Sequence, residues 1–358
     1  MLNSTVQASA PGKLILIGEY AVLEGAPCLV AAVDRKCIVT VRSLGGDISR
    51  ITASSAPIPD VQFRVHKNGE IVFLKPLSPV NRKHLRFVLH TLKHVIKQNG
   101  NSFSSAAIRI DSSSFYHDKT GHKLGLGASA AVTVSLLKAL MAYINSPVAG
   151  KDLYLASCPI HREAQGRLGS GTDIAASAAG GIIQYRVAKV DGSINGTIKP
   201  VEWPRNLHVI PIWAGYSAST RNMVRRVQAF RNENPSSYNT IMSSMKKLSE
   251  KGCRTFRSGD VKGFLNITAE FAERERILGK ESQADIVSGA HSAITALVQK
   301  AGGVYKPSGA GRGDIGIAFC DSADTRLKIM DAVTNSRFEM LDLAPDGEQR
   351  RPAHKQNG

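Results

Sequence analysis

Four short stretches carry the residue types that can hold and move a phosphoryl group: Pro11-Gly12-Lys13, Lys123 to Ala131, Gly169 to Asp173, and Ser308 to Gly313. The second reads Lys123-Leu124-Gly125-Leu126-Gly127-Ala128-Ser129-Ala130-Ala131 and leads into an apolar run from Val132. Its glycines let a ligand approach the backbone. N–H groups left free at a helix N-terminus, with the positive end of the macrodipole behind them, bind anions. The third stretch sets a carboxylate, Asp173, beside glycines at a helix start, and the first supplies a lysine. Backbone donors and a lysine for a polyphosphate, hydroxyl and carboxylate oxygens for Mg²⁺, and a group to orient the nucleophile are what phosphoryl transfer requires. Glu163 precedes Asp173 by less than three helical turns and could share such a site. Each piece also has a plainer reading: a tight loop before a packed helix, a carboxylate satisfying a helix dipole, a solvated cation. Only the four together point to one chemistry.

The familiar alternatives are missing. There is no GxxxxGK[ST], no protein-kinase HRD or DFG set and no HExxH. Gly311-Arg312-Gly313-Asp314-Ile315-Gly316 matches GxGxxG in form, but Ile315 to Phe319 alternates like a strand, whereas a dinucleotide fingerprint must open a helix. His90 and His94 stand four apart without Glu or Cys partners nearby and read as surface residues. The balance of 46 Lys+Arg against 29 Asp+Glu, a formal +17, attracts anions. These cations are spread along the chain, and aromatics make up only 6%, which favours phosphorylated small molecules over nucleic acid. No apolar run approaches the length of a bilayer span. The first residues lack the basic start and apolar core of a secretory signal. Five scattered cysteines, none in a CxxC pair, read as reduced buried thiols of a cytoplasmic protein.

The elements that must position these residues follow from periodicity. Val6–Ser9 and Leu14–Ile17 read as short strands around the Pro-Gly-Lys turn, and Leu29–Val33 and Cys37–Val41 as two more. Arg82 to Gln98 is an amphipathic helix, with Leu85, Val88, Leu89, Leu92, Val95 and Ile96 on one face. Ala106–Ile110 predicts a strand, the glycine loop a helix to about Ile144, and Lys151–Gln165 a second helix. A third helix starts near Ile174, and Ile182–Val187 returns as a strand. Asp191 to Pro204 is poor in core residues and marks a domain boundary. Beyond it come a strand at Leu207–Trp213 and helices near 236–251, 261–278 and 286–300. A strand from Ile315 and a helix at Thr325–Thr334 follow. Mixed elements in both halves give an α+β protein of two lobes. The expected domains are 1–190 and 191–343, with a polar, disordered tail over 344–358.

Three of the stretches resemble the signature motifs of the GHMP kinases, the superfamily of galactokinase, homoserine kinase, mevalonate kinase and phosphomevalonate kinase. They are Pro11-Gly12-Lys13-Leu14-Ile15-Leu16-Ile17-Gly18-Glu19-Tyr20-Ala21-Val22-Leu23, the Gly125–Ala131 loop, and Lys306 to Gly316, in the family's order. Within it, His161 to Ala176, Gly215-Tyr216-Ser217-Ala218-Ser219-Thr220-Arg221 and Lys306 to Gly311 are most similar to the phosphomevalonate kinase pattern. The resemblance implies an N-terminal lobe like ribosomal protein S5 domain 2 and a ferredoxin-like C-terminal lobe. It implies ATP, Mg²⁺ and phosphomevalonate as ligands of a monomer or homodimer, with no nucleic-acid or membrane partner. It gives Lys13 and Asp173 catalytic roles, and Lys123, Gly125, Leu126, Gly127, Ala128, Ser129 and Ala130 the ATP phosphates. Ser129 and Glu163 fall to the metal. Lys13, Ser170, Ser217, Ser219, Thr220, Arg221, Ser308, Gly309, Ala310 and Gly311 fall to the acceptor. Mevalonate kinase, or another small-molecule kinase of the superfamily, is the nearest alternative, and a non-catalytic metabolite-binding regulator a more distant one. Two positions depart from the pattern: Ala128 stands where serine is common, and Arg312 where glycine is, there either crowding the loop or adding a cation.

Overall fold

The computed structural model describes residues 4–54, 60–99, 103–166, 169–190, 193–217 and 220–346. Two long strands, β1 (Thr5–Ile17) and β2 (Pro27–Ser43), pair antiparallel and form the spine of the first lobe. The Pro11–Lys13 segment is therefore not a turn between strands. It is a bulge inside β1, where the register shifts between Pro11 and Gly12. The bulge presses Gly12 so closely on the chain that a Cβ there would lie 2.8 Å from Leu126 O and 2.9 Å from the Phe115 ring. In β2, Pro27 to Val33 are buried without a break, because the strand is covered on both faces there; exposure alternates only from Lys36 onward.

Six further strands complete this sheet: β3 (Ser49–Ala53), β4 (Val61–Val65), β5 (Ile71–Phe73), β6 (Ala106–Asp111), β7 (Ile182–Val190) and β8 (Ser193–Pro200). Their order is β5-β4-β3-β6-β2-β7-β8, with β1 added on β2, and only β3 and β6 run parallel. Helices α2 (Ala128–Tyr143) and α4 (Thr172–Ala179) lie on β1 and β2, while α1 (Pro79–Asn99) and α3 (Gly150–Ala164) pack against α2. α2 is apolar almost all round, as a helix enclosed by neighbours must be, and its small residues Ala130, Ala131 and Ala139 are fully buried.

The second lobe holds a four-stranded antiparallel sheet of order β10-β11-β9-β12, from β9 (His208–Trp213), β10 (Val304–Pro307), β11 (Ile315–Cys320) and β12 (Glu339–Met340). Alternation along β9 sends Ile210 and Ile212 to a small core under α8 (Gly289–Lys300) and α9 (Ala323–Thr334). Leu207 and Trp213 instead join the main core, which continues through α6 (Pro235–Ser258) and α7 (Val261–Glu281) into the first lobe.

Three expectations need correction. β7 and β8 pair from Ile183↔Pro200 to Val190↔Ser193, so the boundary expected after residue 190 falls inside a hairpin and the change of sheet comes after Pro200. The tail expected from residue 344 is anchored at its start. Asp34 N donates to Ala344 O at 2.9 Å, Pro345 bridges Val33, and Asp346 pairs with Lys36 at 2.7 Å. Residues 347–358 lie outside the described residues. Finally, α5 (Thr220–Glu233) forms where no element was expected. Met223, Val227 and Phe230 bury one face at helical spacing, diluted in sequence by the many arginines on the other.

Candidate active site

The glycine-rich stretches, far apart in sequence, surround one cavity of about 280 Å³ between the lobes. Lys13, Lys123, Gly125 to Ser129, Ser170, Asp173, Ser217, Gly309 and Ala310 line it. β1 delivers Lys13, which is 5% exposed, and its Nζ donates to Gly125 O at 3.4 Å. Gly127 (φ +79°) caps α2 in the left-handed region. A Cβ there would come 3.2 Å from Lys13 Cγ and 3.8 Å from Asp173 Cβ, so glycine is required both by its torsion and by its neighbours. No side chain caps α2, which leaves its first N–H groups for a ligand, whereas the first N–H of α4, on Thr172, donates to Ser170 Oγ at 3.3 Å.

The cavity walls carry cations in excess. Arg86 reaches in from α1, half-buried, its guanidinium 4.7 Å from the Phe87 ring. Burial, and then the nearby Arg221 charge, hold the Arg86 pKa below its ordinary value. Partial desolvation and the Arg86 charge likewise press Lys123 down, with Asp314 pulling the other way. Among the described residues no carboxylate forms an ion pair with Arg86. Cations held together in this way favour an anionic guest.

Ser129 Oγ lies 3.1 Å from His161 Nε2, and the His161 ring stacks on Phe87 with centroids 4.9 Å apart. Burial pushes the His161 imidazole down to about 4, although Asp173 acts to raise it, so the ring is neutral at pH 7 and orients the serine hydroxyl. Glu163 does not join them. It lies two residues further along α3, about 200° around the helix. Its carboxylate is 73% exposed and 3.8 Å from His90, outside the cavity lining. The expected metal role of Glu163 is therefore corrected.

Other expected ligands also fall outside. The Ser308 hydroxyl is committed to β1, accepting from Ile15 N at 2.9 Å and donating to Ile15 O at 3.1 Å. Gly311 is buried against Ile286, and Ala130 is buried behind the loop. Arg221 stands at the rim near Gly166. Ser219 lies outside the described residues, and Thr220 opens α5. Arg312 adopts φ +69° with its side chain exposed and outside the lining, so it neither crowds the cavity nor adds a cation to it. The left-handed conformation of this non-glycine residue costs roughly 1–2 kcal/mol.

Behind the loops lies a buried ionic cluster. Lys306 Nζ pairs with Glu19, donates to Pro307 O at 2.5 Å and lies 3.8 Å from Glu275 Oε2. Glu19 Oε1 also accepts from Gly309 N at 3.2 Å, tying the Ser308–Gly313 stretch to the segment that follows β1. Burial raises the Glu275 pKa well above the carboxylate range, against the lowering effect of Lys306, which favours its neutral form beside the Lys306–Glu19 ion pair. On the opposite side Tyr185 donates to Ser170 O at 2.7 Å and shares a hydrogen bond of 3.0 Å with Tyr154, fixing the turn before Asp173.

The family described as GHMP kinases N terminal domain matches residues 86–181, which hold Arg86, the glycine loop, His161 and Asp173. Phosphomevalonate kinase from Streptomyces sp. (strain CL190) is 27% identical over 347 residues, 90% of this chain and 91% of that protein. Residues 86–181 thus match the N-terminal domain of the GHMP kinases, and the rest of the chain is similar to members of that superfamily. Mevalonate kinase from Aeropyrum pernix is 32% identical, but over 52% of each chain. The solved structure of Streptococcus pneumoniae phosphomevalonate kinase in complex with phosphomevalonate and AMPPNP has the same fold. It aligns with TM-score 0.77 and 20% identity over 95% of this chain and 99% of that one.

The proteins this chain is similar to are kinases. Sequence reading did not assign Arg86, Phe87, His161, Glu19 or Asp314 to its site. His161 stood inside a motif that was read for Glu163 and Asp173. Arg86 looked like one more solvated cation on an amphipathic helix; the signal available was its place directly beside the buried Leu85 and Val88.

Proposed function

We propose that this protein is a GHMP kinase that phosphorylates 5-phosphomevalonate to 5-diphosphomevalonate with ATP and Mg²⁺. The observation that carries the reading is the cationic cluster of Lys13, Arg86 and Lys123 on the cavity wall, with Arg221 at its rim, more positive charge than an acceptor whose reacting group is an uncharged alcohol would need. The relative that matches across 90% of the chain carries the same activity in its name. A second cavity of about 460 Å³ shares Arg86, Phe87, Lys123, Ala128 and Ser129 with the first, and Leu85, Val88, Ile110, Tyr116 and Val132 give it apolar walls. It suits the nucleoside, with the triphosphate crossing the glycine loop toward the acceptor.

A hard divalent cation takes oxygen ligands and often only one or two carboxylates besides substrate phosphates. Ser129 Oγ and the Asp173 carboxylate fit Mg²⁺ on that ground, and the bound ion would neutralise triphosphate charge. A phosphate monoester has a second pKa near ~6 and is mostly dianionic at neutral pH, so its oxygen needs no strong base. That oxygen forms a bond to the γ-phosphorus while the bond from the γ-phosphorus to the β,γ-bridging oxygen breaks and ADP leaves. Lys13, Arg86, Lys123 and the α2 N-terminus reduce the repulsion between the two anions, and Asp173 orients Lys13 and the acceptor. Phosphorus NMR of the reaction mixture tests this: a new pair of coupled diphosphate resonances on the acceptor supports the reading, and a monoester product from mevalonate alone overturns it.

A further inference from the structure

Residues 115–124 form a hairpin that leads directly into Gly125. Tyr116 and Lys123 bridge across it, His117 N donates to His122 O at 2.8 Å, and Leu124 N donates to Phe115 O at 3.0 Å. The hairpin belongs to the first lobe, yet its His117, 7% exposed, is held by the second. The ring stacks on Trp213 of β9, centroids 4.3 Å apart and planes at 19°, and Nε2 lies 2.9 Å from Glu339 Oε2 of β12. Trp213 and Glu339 are paired across those two strands. His117 Nδ1 accepts from Thr120 N at 3.2 Å, which puts the ring proton on Nε2, where it donates to Glu339.

Two more second-lobe groups touch the same strand of chain. Ser217 Oγ donates to Lys123 O at 3.0 Å, and Asp314 packs so tightly on Gly125 that a Cβ there would come 2.4 Å from Asp314 Cβ. The glycine loop is therefore fixed from the lobe that also contributes Ser217, Gly309 and Ala310 to the acceptor side.

We infer that His117 is a positioning residue that couples the two ligand sites: its docking on Trp213 and Glu339 sets the Gly125–Ser129 loop, so nucleotide and acceptor strengthen each other's binding. The inference rests on the reading of that loop as the triphosphate seat. Coupling of this kind is reciprocal and shows as a changed affinity for one ligand when the other is present.

The test is calorimetric titration of Mg-AMPPNP into the full chain, with and without phosphomevalonate, for wild type, His117→Ala, His117→Gln and Glu339→Ala. Phosphomevalonate should tighten nucleotide binding to wild type. His117→Ala should weaken nucleotide binding about tenfold and abolish the tightening, while the affinity for phosphomevalonate alone stays within twofold. His117→Gln, which keeps a donor for Glu339, should recover part of the loss. Glu339→Ala, at a half-exposed carboxylate whose loss leaves the fold intact, should weaken the nucleotide about threefold and reduce the tightening. Unchanged nucleotide affinity and tightening in both alanine variants overturns the inference. Failure of wild type to bind Mg-AMPPNP overturns the underlying reading instead.

Discussion

Replacing Arg86 by Met removes the guanidinium and keeps most of the stem. Burial and Arg221 already disfavour the charge at this position, and among the described residues no carboxylate forms an ion pair with it. Its loss should therefore leave stability nearly unchanged, with relieved repulsion offsetting the contact over Phe87, worth about 0.5–1 kcal/mol. A charge-assisted hydrogen bond contributes about 1.5–3 kcal/mol, and half-burial places Arg86 at the lower end. The expected result is a KM for phosphomevalonate raised about 10–30-fold, converting at about 1.4 kcal/mol per tenfold. Any residual turnover of mevalonate should change less than threefold. The Lys123 pKa should rise, since the Arg86 charge helps to lower it. Steady-state ADP release with each acceptor, beside thermal melts, reads all of this. A Tm drop of several degrees, or equal losses for both acceptors, would refute the view of Arg86 as an uncompensated cation awaiting a phosphate.

Other substitutions separate the remaining roles. Asp173→Asn should abolish turnover of an alcohol acceptor more thoroughly than that of a phosphate acceptor, because only the alcohol must lose a proton; initial rates with both acceptors decide. Glu275→Gln should keep stability within about 1 kcal/mol, since burial already favours the neutral form of Glu275, whereas Lys306→Met strands Glu19 and should lose about 3–5 kcal/mol in urea unfolding. Acid should destabilise the protein through His161 and His291, both pushed down to about 4 by burial. Between pH 6.5 and 4 the unfolded chain binds the protons that the folded rings refuse. Stability is thus full above the unfolded pKa and falls by up to about 1.4 kcal/mol per pH unit for each ring as pH drops. His291 Nδ1 faces Tyr305 OH at 2.8 Å and Nε2 faces Gly313 O at 3.1 Å, so His291→Gln should flatten that slope. An unchanged slope would contradict the assignment.

What could be read from the chain was what depends on local pattern. The helices around Leu85–Ile96 and Val134–Leu140 follow from apolar spacing, and the glycine stretches from the needs of backbone close to a ligand. Their convergence on one cavity was legible only because four of them occur together. What depends on rotation around an element was not legible: Glu163 and His161 sit two residues apart on α3 but on different sides, and the hydroxyl of Ser308 turns to β1 instead of the cavity. Long-range partners were equally hidden. Lys306 meets Glu19 across 287 residues, and His117 meets Glu339 across 222, separations on which periodicity is silent.

The most direct measurement is ADP release from Mg-ATP with mevalonate and phosphomevalonate offered separately. One ADP per phosphomevalonate consumed is expected, with little or none from mevalonate and loss of turnover when Mg²⁺ is chelated. ADP formed only with mevalonate, or with neither acceptor, would contradict the proposed activity.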